Sequence, residues 1–364
     1  MPALAPRTAK PSRILVADDS TFMRRLLTQA LRDAGFDVVG QAADGDEALA
    51  LYRELRPDAM TLDLAMPGMD GIGVLRALRG ERSSLPVVVV SAFSPAHGAR
   101  AVDALAEGAF DLVAKPAFGE PLEQFVGALR EKVTQAATAG PGATIAAPVR
   151  LTGARAQRTG EGASGVARLR ARRAPAASRR VLLIATSTGG PRALAELVPA
   201  LPSPLGAGGL IVQHMPAGFT ASLAQRLDRS SRLTVVEAGA GDVLRPDTLM
   251  LAPGGSHLRL GDDGVARLTD EAAVGGLRPR ADLTIADAAR VFGERLLLVV
   301  MTGMGKDGLK GAREVRARGG RILAQAESTC TVYGMPRAIV EAGLADDVLP
   351  LGELAEAIAG ETGS

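Results

Sequence analysis

Residues 181–192 read V-L-L-I-A-T-S-T-G-G-P-R, and this stretch decides the fold of the second half of the chain. Its apolar run, Val181–Ala185, predicts a fully buried strand, and Pro191 stands where a helix would begin. Ser187 is therefore predicted on a strand-to-helix turn, at the carboxyl edge of a sheet and beside backbone N–H groups. This geometry suits a nucleophilic serine or a phosphate-binding loop. The local pattern does not distinguish these two possibilities, because it lacks the first glycine of the G-x-S-x-G elbow that marks a nucleophilic serine.

Apolar runs and amphipathic stretches alternate through the rest of this half of the chain. Strands are predicted at Val181–Ala185, Gly209–Val212, Thr248–Leu251 and Leu296–Met301. Helices are predicted at Ala217–Leu227, Leu283–Phe292 and Leu309–Arg318. The alternation indicates an α/β domain with a doubly wound, Rossmann-like parallel sheet.

Three polar residues follow strands of this predicted sheet, in the chain order Ser187, His214, Asp307. If the strands are parallel, all three lie at the carboxyl edge of the sheet. A serine hydroxyl is inert at neutral pH until a neutral imidazole removes its proton, and a carboxylate must fix the imidazole tautomer. The sequence therefore predicts a catalytic serine, its base and its orienting acid at this edge.

The base and the acid both have rivals. His97 lies in the first half of the chain and is expected at the surface near a helix start. His257, in A-P-G-G-S-H, follows a strand and is expected to be a structural hydrogen-bonding group or a substrate contact. Asp307 is preferred among the acids because glycines surround it and make a tight loop there. Its rivals are Asp242, Asp282 and Asp287.

Glycines near Ser187 and Met304 are expected to expose backbone N–H groups to a developing oxyanion. The predicted donors are the N–H groups of Met304 and Thr188. The Met304 side chain is expected to pack, so only its backbone is given a catalytic part.

The first half of the chain shows a second α/β alternation. Strands are predicted at Ile14–Ala17, Val38–Ala42, Ala59–Leu62, Val87–Val90 and Phe110–Val113. A helical pattern between the first two comprises Phe22, Leu26, Leu27, Ala30 and Leu31. Five strands alternating with helices predict a doubly wound parallel sheet of the flavodoxin-like kind.

Polar residues stand at four of these strand ends: Asp18 and Asp19 after the first, Asp63 after the third, Ser91 after the fourth and Lys115 after the fifth. Carboxylates brought together at one sheet edge repel one another unless a cation lies among them. Oxygen ligands favour Mg²⁺, which leaves room for phosphate oxygens. Lys115 and Ser91 are then expected to contact a phosphoryl group.

The first half resembles the receiver domains of two-component response regulators over residues 11–136. The resemblance rests on V-A-D-D-S at 16–20, L-D-L-A-M-P-G-M-D-G at 62–71, V-V-S-A at 89–92 and K-P at 115–116. It implies that Asp63 accepts a phosphoryl group from a histidine kinase, and that Asp18, Asp19 and Asp63 hold Mg²⁺. Ser91 and Lys115 would respond to the phosphoryl group, and Phe110 matches the aromatic switch position.

Residues 137–178 are rich in Arg, Ala, Gly and Pro and have no apolar period, which predicts a flexible linker. Between Ala136 and Arg180, nine arginines stand against one acid, Glu161. An arginine-rich arm can bind nucleic acid. A solubilising tether is the simpler interpretation, and no specific nucleic-acid partner is expected.

Composition narrows the class of protein further. Aromatic residues make up 3% of the 364 residues and there is no Trp, which argues against base stacking as an activity. One cysteine, Cys330, fits a reducing compartment. No apolar run reaches the roughly 18 residues of a membrane span, and the N-terminus lacks the apolar region of a signal peptide. A cytoplasmic location without membrane insertion is expected.

Residues 179–361 resemble the catalytic domain of the chemotaxis protein-glutamate methylesterases, the CheB family. The matching pieces are T-S-T-G-G-P, Q-H-M-P, A-P-G-G-S-H, M-T-G-M-G-K-D-G and, at 333–336, Y-G-M-P. The resemblance implies Ser187 as nucleophile, His214 as base, Asp307 as orienting acid and the Met304 backbone in the oxyanion hole. No cofactor is expected for the esterase reaction. The resemblance also implies demethylation of glutamate γ-methyl esters on cytoplasmic helices of chemoreceptors, deamidation of receptor glutamines and a chemotaxis kinase as phosphodonor.

Two positions depart from the family pattern. Thr186 stands where the family commonly has alanine, and Arg280 adds an arginine to a segment that in the family runs R-P-S-V-D-x-L-F. Arg280 is expected at the cleft, where it would alter the surface that a receptor meets. The alternative function is a phosphorylation-controlled binding or scaffold protein, in which Ser187 caps a phosphate-binding loop.

Overall fold

The computed structural model describes residues 10–92, 95–116, 122–139 and 180–363, without the side chains of 95–97. The chain divides into two compact units, Met1–Pro148 and Val149–Ser364. Most of the predicted linker, residues 140–178, falls outside the described residues, and so does the side chain of His97. The domain limits 11–136 and 179–361 stay predictions.

The first unit is a five-stranded parallel sheet flanked by helices, as predicted. The strands are β1 (Arg13–Ala17), β2 (Asp37–Ala42), β3 (Ala59–Leu62), β4 (Val87–Ser91) and β5 (Asp111–Ala114), in the order β2-β1-β3-β4-β5. The helices are α1 (Thr21–Asp33), α2 (Gly45–Leu55), α3 (Gly71–Gly80), α4 (Pro95–Ala106) and α5 (Leu122–Thr138). Strands β3 and β4 are buried along their whole length, as expected for inner strands covered on both faces.

Local signals fix where these elements begin. Ser20, Asp44 and Asp70 cap α1, α2 and α3 with side-chain oxygens that accept a backbone N–H from the first turn. Leu27, Ala30 and Leu31 of the apolar stripe predicted for α1 are buried, whereas Leu26 is half-buried and Phe22, at the start of the helix, is 72% exposed. Phe110, predicted as the first residue of the last strand, precedes β5, although it is buried and its N–H bonds to the Val87 carbonyl.

The second unit is built on a seven-stranded parallel sheet. Its strands are β6 (Val181–Thr186), β7 (Gly209–Gln213), β8 (Thr234–Glu237), β9 (Thr248–Leu251), β12 (Leu296–Val300), β13 (Arg321–Gln325) and β14 (Asp347–Leu349). They lie in the order β14-β13-β12-β6-β7-β9-β8. Strands β10 (His257–Leu260) and β11 (Ala266–Thr269) form a separate antiparallel hairpin. The helices are α6 (Gly190–Ala200), α7 (Thr220–Ser230), α8 (Ala281–Phe292), α9 (Leu309–Ala317), α10 (Met335–Glu341) and α11 (Leu351–Thr362).

All four strands predicted for this unit are present, and two helix starts differ from the prediction. Helix α7 begins at Thr220 rather than at residue 217, because Gly218 adopts a φ of +80°, which a right-handed helix excludes. Helix α8 begins at Ala281, two residues earlier than predicted. The Asp307 carboxylate accepts the first N–H groups of that helix.

Strand β6 lies between β7 and β12, and the chain leaves β6 toward β7 and returns to its other side at β12. Sheets of this kind bind ligands at the carboxyl ends of the strands beside such a reversal. None of the helices in the described ranges has the length and apolar character that crossing a bilayer requires.

Candidate functional sites

Ser187 follows β6 on the predicted turn and is 5% exposed. Its N–H donates to the Thr302 carbonyl beyond β12 at 3.0 Å. On the other side, the buried Gln213 amide donates to the carbonyls of Ser187 at 3.0 Å and His214 at 2.9 Å. Hydrogen bonds across three strand ends therefore hold the serine in place.

Gly189 and Gly190 allow this turn to come close to its neighbours. Gly189 has a φ of +78°, and a Cβ there would lie 2.3 Å from Thr331 Oγ1. A Cβ on Gly190 would lie 2.0 Å from Gln213 Oε1. Helix α6 starts at once, with Pro191 in its first turn and a buried face that includes Leu194 and Leu197.

His214 and Asp307 form a buried pair, with Nε2 of the imidazole 2.7 Å from Oδ2 of the carboxylate. A carboxylate at this distance favours the tautomer with the proton on Nε2, which leaves Nδ1 as the proton acceptor. Ser187 and His214 stand at the ends of adjacent strands, since Thr186 pairs with Gln213. Within the described residues, the Ser187 hydroxyl has no hydrogen bond to His214. The hydrogen bond between a nucleophile and its general base is often long or poorly aligned until substrate binds.

Donors surround the Asp307 carboxylate. Oδ2 also accepts the Ala281 N–H at 2.7 Å, and Oδ1 accepts the N–H groups of Asp282 and Gly308 at 3.0 Å. Burial alone would raise the pKa of Asp307. The hydrogen bond and charge of His214, together with these backbone N–H groups, hold it well below its usual range.

The rival groups have other roles in the structure. Asp242 accepts the Gly239 N–H at 2.7 Å, and Asp287 pairs with Arg259. His257 is fully buried, with Nε2 3.3 Å from the Ala272 carbonyl and Nδ1 accepting a backbone N–H. These contacts match the structural role predicted for it.

Asp282 contacts the site although the sequence ranked it behind Asp307. Its Oδ1 accepts the N–H groups of Gly308 and Gly311 at 2.9 Å, at the start of α9. Burial raises the pKa of Asp282, and the neighbouring Asp307 charge raises it further. Arg280 lies between the two carboxylates, with Nη2 3.1 Å from Asp282 and Nε 3.3 Å from Asp307. The arginine predicted to change the cleft surface thus directs its charge inward.

The predicted oxyanion donors lie on loops that buried polar groups fix. Gly303 donates to the Val332 carbonyl and accepts N–H groups from Gly334 and Met335. Next to it, the Met304 side chain is 43% exposed, so the expectation that it packs was wrong. The bonds of Gly303 hold this loop at the rim, where the side chain meets solvent.

Sequence reasoning missed Thr302 as an organising residue. Its hydroxyl donates to the Thr188 carbonyl at 2.9 Å and accepts the Val332 N–H at 3.0 Å. Its own N–H donates to buried Gln325 at 2.8 Å. The polar residue inside M-T-G-M-G was the available signal. The departure at Thr186 adds one more bond to this network, from its hydroxyl to the Thr302 carbonyl at 2.8 Å.

The first unit brings its predicted polar residues together at the carboxyl edge of its sheet. Oxygens of Asp18, Asp19 and Asp63 lie within 4.8 Å of one another, a donor set that fits Mg²⁺. Lys115 Nζ lies 2.7 Å from Asp63 and 2.8 Å from Asp18. Burial raises the pKa of Asp18, an effect that Lys115 partly opposes. Ser91 is buried, and its hydroxyl has no hydrogen-bond partner among the described residues, so it is available to a ligand.

Known proteins match the chain over both units. Residues 182–358 fit the family model of the CheB methylesterase, and residues 14–126 fit that of the response regulator receiver domain. The protein-glutamate methylesterase/protein-glutamine glutaminase of Symbiobacterium thermophilum is 44% identical over 360 residues, covering 98% of each chain. The protein of the same name from Thermotoga maritima is 38% identical over 355 residues, 96% of this chain and 98% of its own. The crystal structure of the catalytic domain of Thermotoga maritima CheB methylesterase is 42% identical, covers 50% of this chain and 98% of that one, and has a TM-score of 0.49.

Proposed function

Because this chain belongs to the CheB family of protein-glutamate methylesterases and protein-glutamine glutaminases, we propose that it hydrolyses glutamyl γ-methyl esters with Ser187, His214 and Asp307. The chain is a hydrolase of this family, with methylesterase and glutaminase activity controlled by its receiver domain. The observation that supports the residue assignment is the 2.7 Å contact between His214 and buried Asp307, at the strand end next to Ser187. This pair favours the hydrolase over a binding protein, because an imidazole oriented by a carboxylate is the arrangement that activates a serine nucleophile.

In the proposed reaction, Ser187 Oγ attacks the ester carbonyl while Nδ1 of His214 takes the hydroxyl proton. Asp307 holds the imidazole through Nε2 and stabilises the imidazolium. Collapse of the tetrahedral intermediate breaks the bond to the methoxy oxygen, which takes the proton from His214 and leaves as methanol. Water then adds to the acyl-enzyme by the same route and releases glutamate. With a glutamine substrate the leaving group is ammonia.

The oxyanion of each tetrahedral intermediate would accept hydrogen bonds from the backbone N–H groups of Met304 and Thr188. Met304 supports this role by its position, since its loop is held beside the serine. A Cβ on Gly303 would lie 2.8 Å from Ser187 Cβ, which measures how close the loop and the nucleophile are. Removing one oxyanion donor from a site of this type costs roughly 10²–10³ in rate.

Receiver domains of this family undergo Mg²⁺-dependent phosphorylation, and we place it at Asp63. Asp18, Asp19 and Asp63 would hold the ion, which offsets the negative charge of the carboxylates and the phosphoryl group. Lys115 would move from Asp18 to pair with phosphoryl oxygens, and the Ser91 hydroxyl would donate to one of them. Phe110 would respond as the aromatic switch residue.

The proposed partners follow from the two activities. The phosphodonor is a chemotaxis histidine kinase, and the protein substrate is the set of methylated helices in the cytoplasmic part of chemoreceptors. A substrate in that position places the enzyme in the cytoplasm.

The test measures release of radiolabelled methanol from receptor membranes carrying labelled methyl esters, with the full chain and with Ser187→Ala. Each protein is assayed with and without a small-molecule phosphodonor and Mg²⁺, and Asp63→Asn controls for the receiver. We expect release that requires Ser187 and rises with the phosphodonor only when Asp63 is present. Equal release from wild type and Ser187→Ala would refute the residue assignment. Absence of release from folded, phosphorylated wild type would refute the substrate.

A further inference from the structure

Arg280 immediately precedes α8, and its side chain points into the protein. The guanidinium makes three contacts: Nε lies 3.3 Å from Asp307 Oδ1, Nη2 donates to Asp282 at 3.1 Å, and Nη1 donates to the Val274 carbonyl at 2.7 Å. The Arg280 side chain is 17% exposed, while those of Asp282 and Asp307 are 9% and 2% exposed. One cation therefore bridges two buried carboxylates, one of which holds His214.

Two buried carboxylates in contact are costly unless a positive charge offsets them. The repulsion contributes to the pKa of Asp282. Burial raises this pKa, the charge of Asp307 raises it further, and the hydrogen bond from Arg280 lowers it. Asp307, by contrast, keeps its charge because His214 and backbone N–H groups bind it. The charge at this point of the site is set by Asp282, Asp307 and Arg280 together.

Resting on the proposed function, we infer that Arg280 is a positioning residue of the hydrolytic site, which fixes the Asp307 carboxylate and offsets part of the negative charge that acts on His214. A carboxylate whose charge is partly offset by a guanidinium stabilises an imidazolium less than a free carboxylate does. Removing the guanidinium would therefore strengthen the stabilisation of a protonated His214 by Asp307, and removing the Asp282 charge would weaken it.

The backbone of Arg280 reinforces this position. Its N–H donates to Nδ1 of His257 at 3.2 Å, and the other nitrogen of that ring is 3.3 Å from the Ala272 carbonyl. The ionisable groups to consider around the His214–Asp307 pair are Arg280 and Asp282 at the start of α8, His257 on β10, and Lys306, an exposed residue next to Asp307. Of the charged groups, Arg280 and Asp282 contact Asp307 in the described part of the chain.

The test is the pH dependence of kcat/KM for methanol release by the full chain and four variants. Arg280→Gln removes the cation, Arg280→Lys keeps it without the planar fork, Asp282→Asn removes one acid, and the Arg280→Gln/Asp282→Asn double variant removes one charge of each sign. We expect Arg280→Gln to move the acidic limb of the profile upward by about one pH unit. Asp282→Asn should move the acidic limb downward. In Arg280→Lys and in the double variant, the acidic limb should lie near its wild-type position.

If the charges of Arg280 and Asp282 act on His214, the acidic limb should shift in opposite directions in Arg280→Gln and Asp282→Asn, and the two shifts should cancel in the double variant. A structural role alone would lower kcat/KM by the same factor at every pH and would lower the urea midpoint of Arg280→Lys as well. Superimposable profiles for wild type and Arg280→Gln, or shifts of the same sign for Arg280→Gln and Asp282→Asn, would overturn the inference. Wild-type release that requires Ser187 keeps the proposed function valid under either result, so the two failures are distinguishable.

Discussion

Asp307→Asn is a sharp test of the site, because both carboxylate oxygens are engaged. Oδ2 accepts from His214 and from the Ala281 N–H, and Oδ1 accepts from the N–H groups of Asp282 and Gly308. An amide replaces one oxygen by a donor, which then faces donors whichever way the side chain is turned. Hydrogen bonds to charged groups contribute about 1.5–3 kcal/mol each, so losing two costs the domain about 3–6 kcal/mol in free energy of unfolding.

The catalytic loss has a separate cause. An amide N–H₂ beside Nε2 favours the tautomer with the proton on Nδ1, the nitrogen that must accept the serine proton. Loss of the correct tautomer in a serine triad reduces kcat about 10⁴-fold, and we expect a loss of about 10³–10⁴ here. Methanol release measures the activity, and urea unfolding followed by circular dichroism measures the stability.

Asp242→Asn is the matched control. The Asp242 carboxylate accepts one backbone N–H, from Gly239, through Oδ2, and an amide oxygen can take that place. This variant should keep wild-type activity and lose less than about 1 kcal/mol. If Asp307→Asn retained more than about a tenth of the wild-type kcat, Asp307 would not be the residue that orients the base. Unchanged stability would refute the hydrogen-bond argument.

Three further predictions concern the rest of the chain. Gly190→Ala places a Cβ 2.0 Å from Gln213 Oε1, so we expect the turn that carries Ser187 to shift and kcat in the methanol assay to fall about tenfold or more. Gly360→Ala is the control and should match wild type, because nothing lies within 4 Å of a Cβ at that position. Burial raises the pKa of Asp18, and Mg²⁺ needs that carboxylate ionised. Calorimetry should therefore show that Mg²⁺ affinity, as the pH is lowered, begins to fall above the range in which an ordinary aspartate titrates, with a pKa of about 3.9; affinity that stays flat until that range would contradict this. Burial, and next the Glu327 charge, raise the pKa of Cys330 to about 12, so iodoacetamide at about pH 8 should alkylate native protein far more slowly than urea-unfolded protein; equal rates would exclude a protected thiol.

The inner strands could be predicted from sequence because of where they lie. Strands such as β4 and β6 are buried on both faces, so nearly every residue is apolar and the run stands out. The strands that the sequence did not reveal include β8 and β14 at the sheet edges. Both are short and partly exposed: β8 buries one of its four residues and β14 buries none of its three, so neither forms an apolar run that stands out in the sequence.

The sequence by itself determined which chemical groups end the strands. The positions of Ser187, His214 and Asp307 follow from a local pattern. Buried strands are apolar runs in the sequence, and in a parallel sheet the residues that follow these runs lie at the same edge. The tertiary structure decided which groups meet. His214 and Asp307 are 93 residues apart, and no local spacing specifies that Nε2 is the ring nitrogen that meets the carboxylate. The glycines around Asp307 favoured it over Asp282, but they gave no sign that Arg280 contacts both carboxylates. The inward direction of the Arg280 side chain was likewise decided by the tertiary structure. These contacts depend on how the start of α8 packs against the loop before α9, and such long-range packing has no local pattern in the sequence.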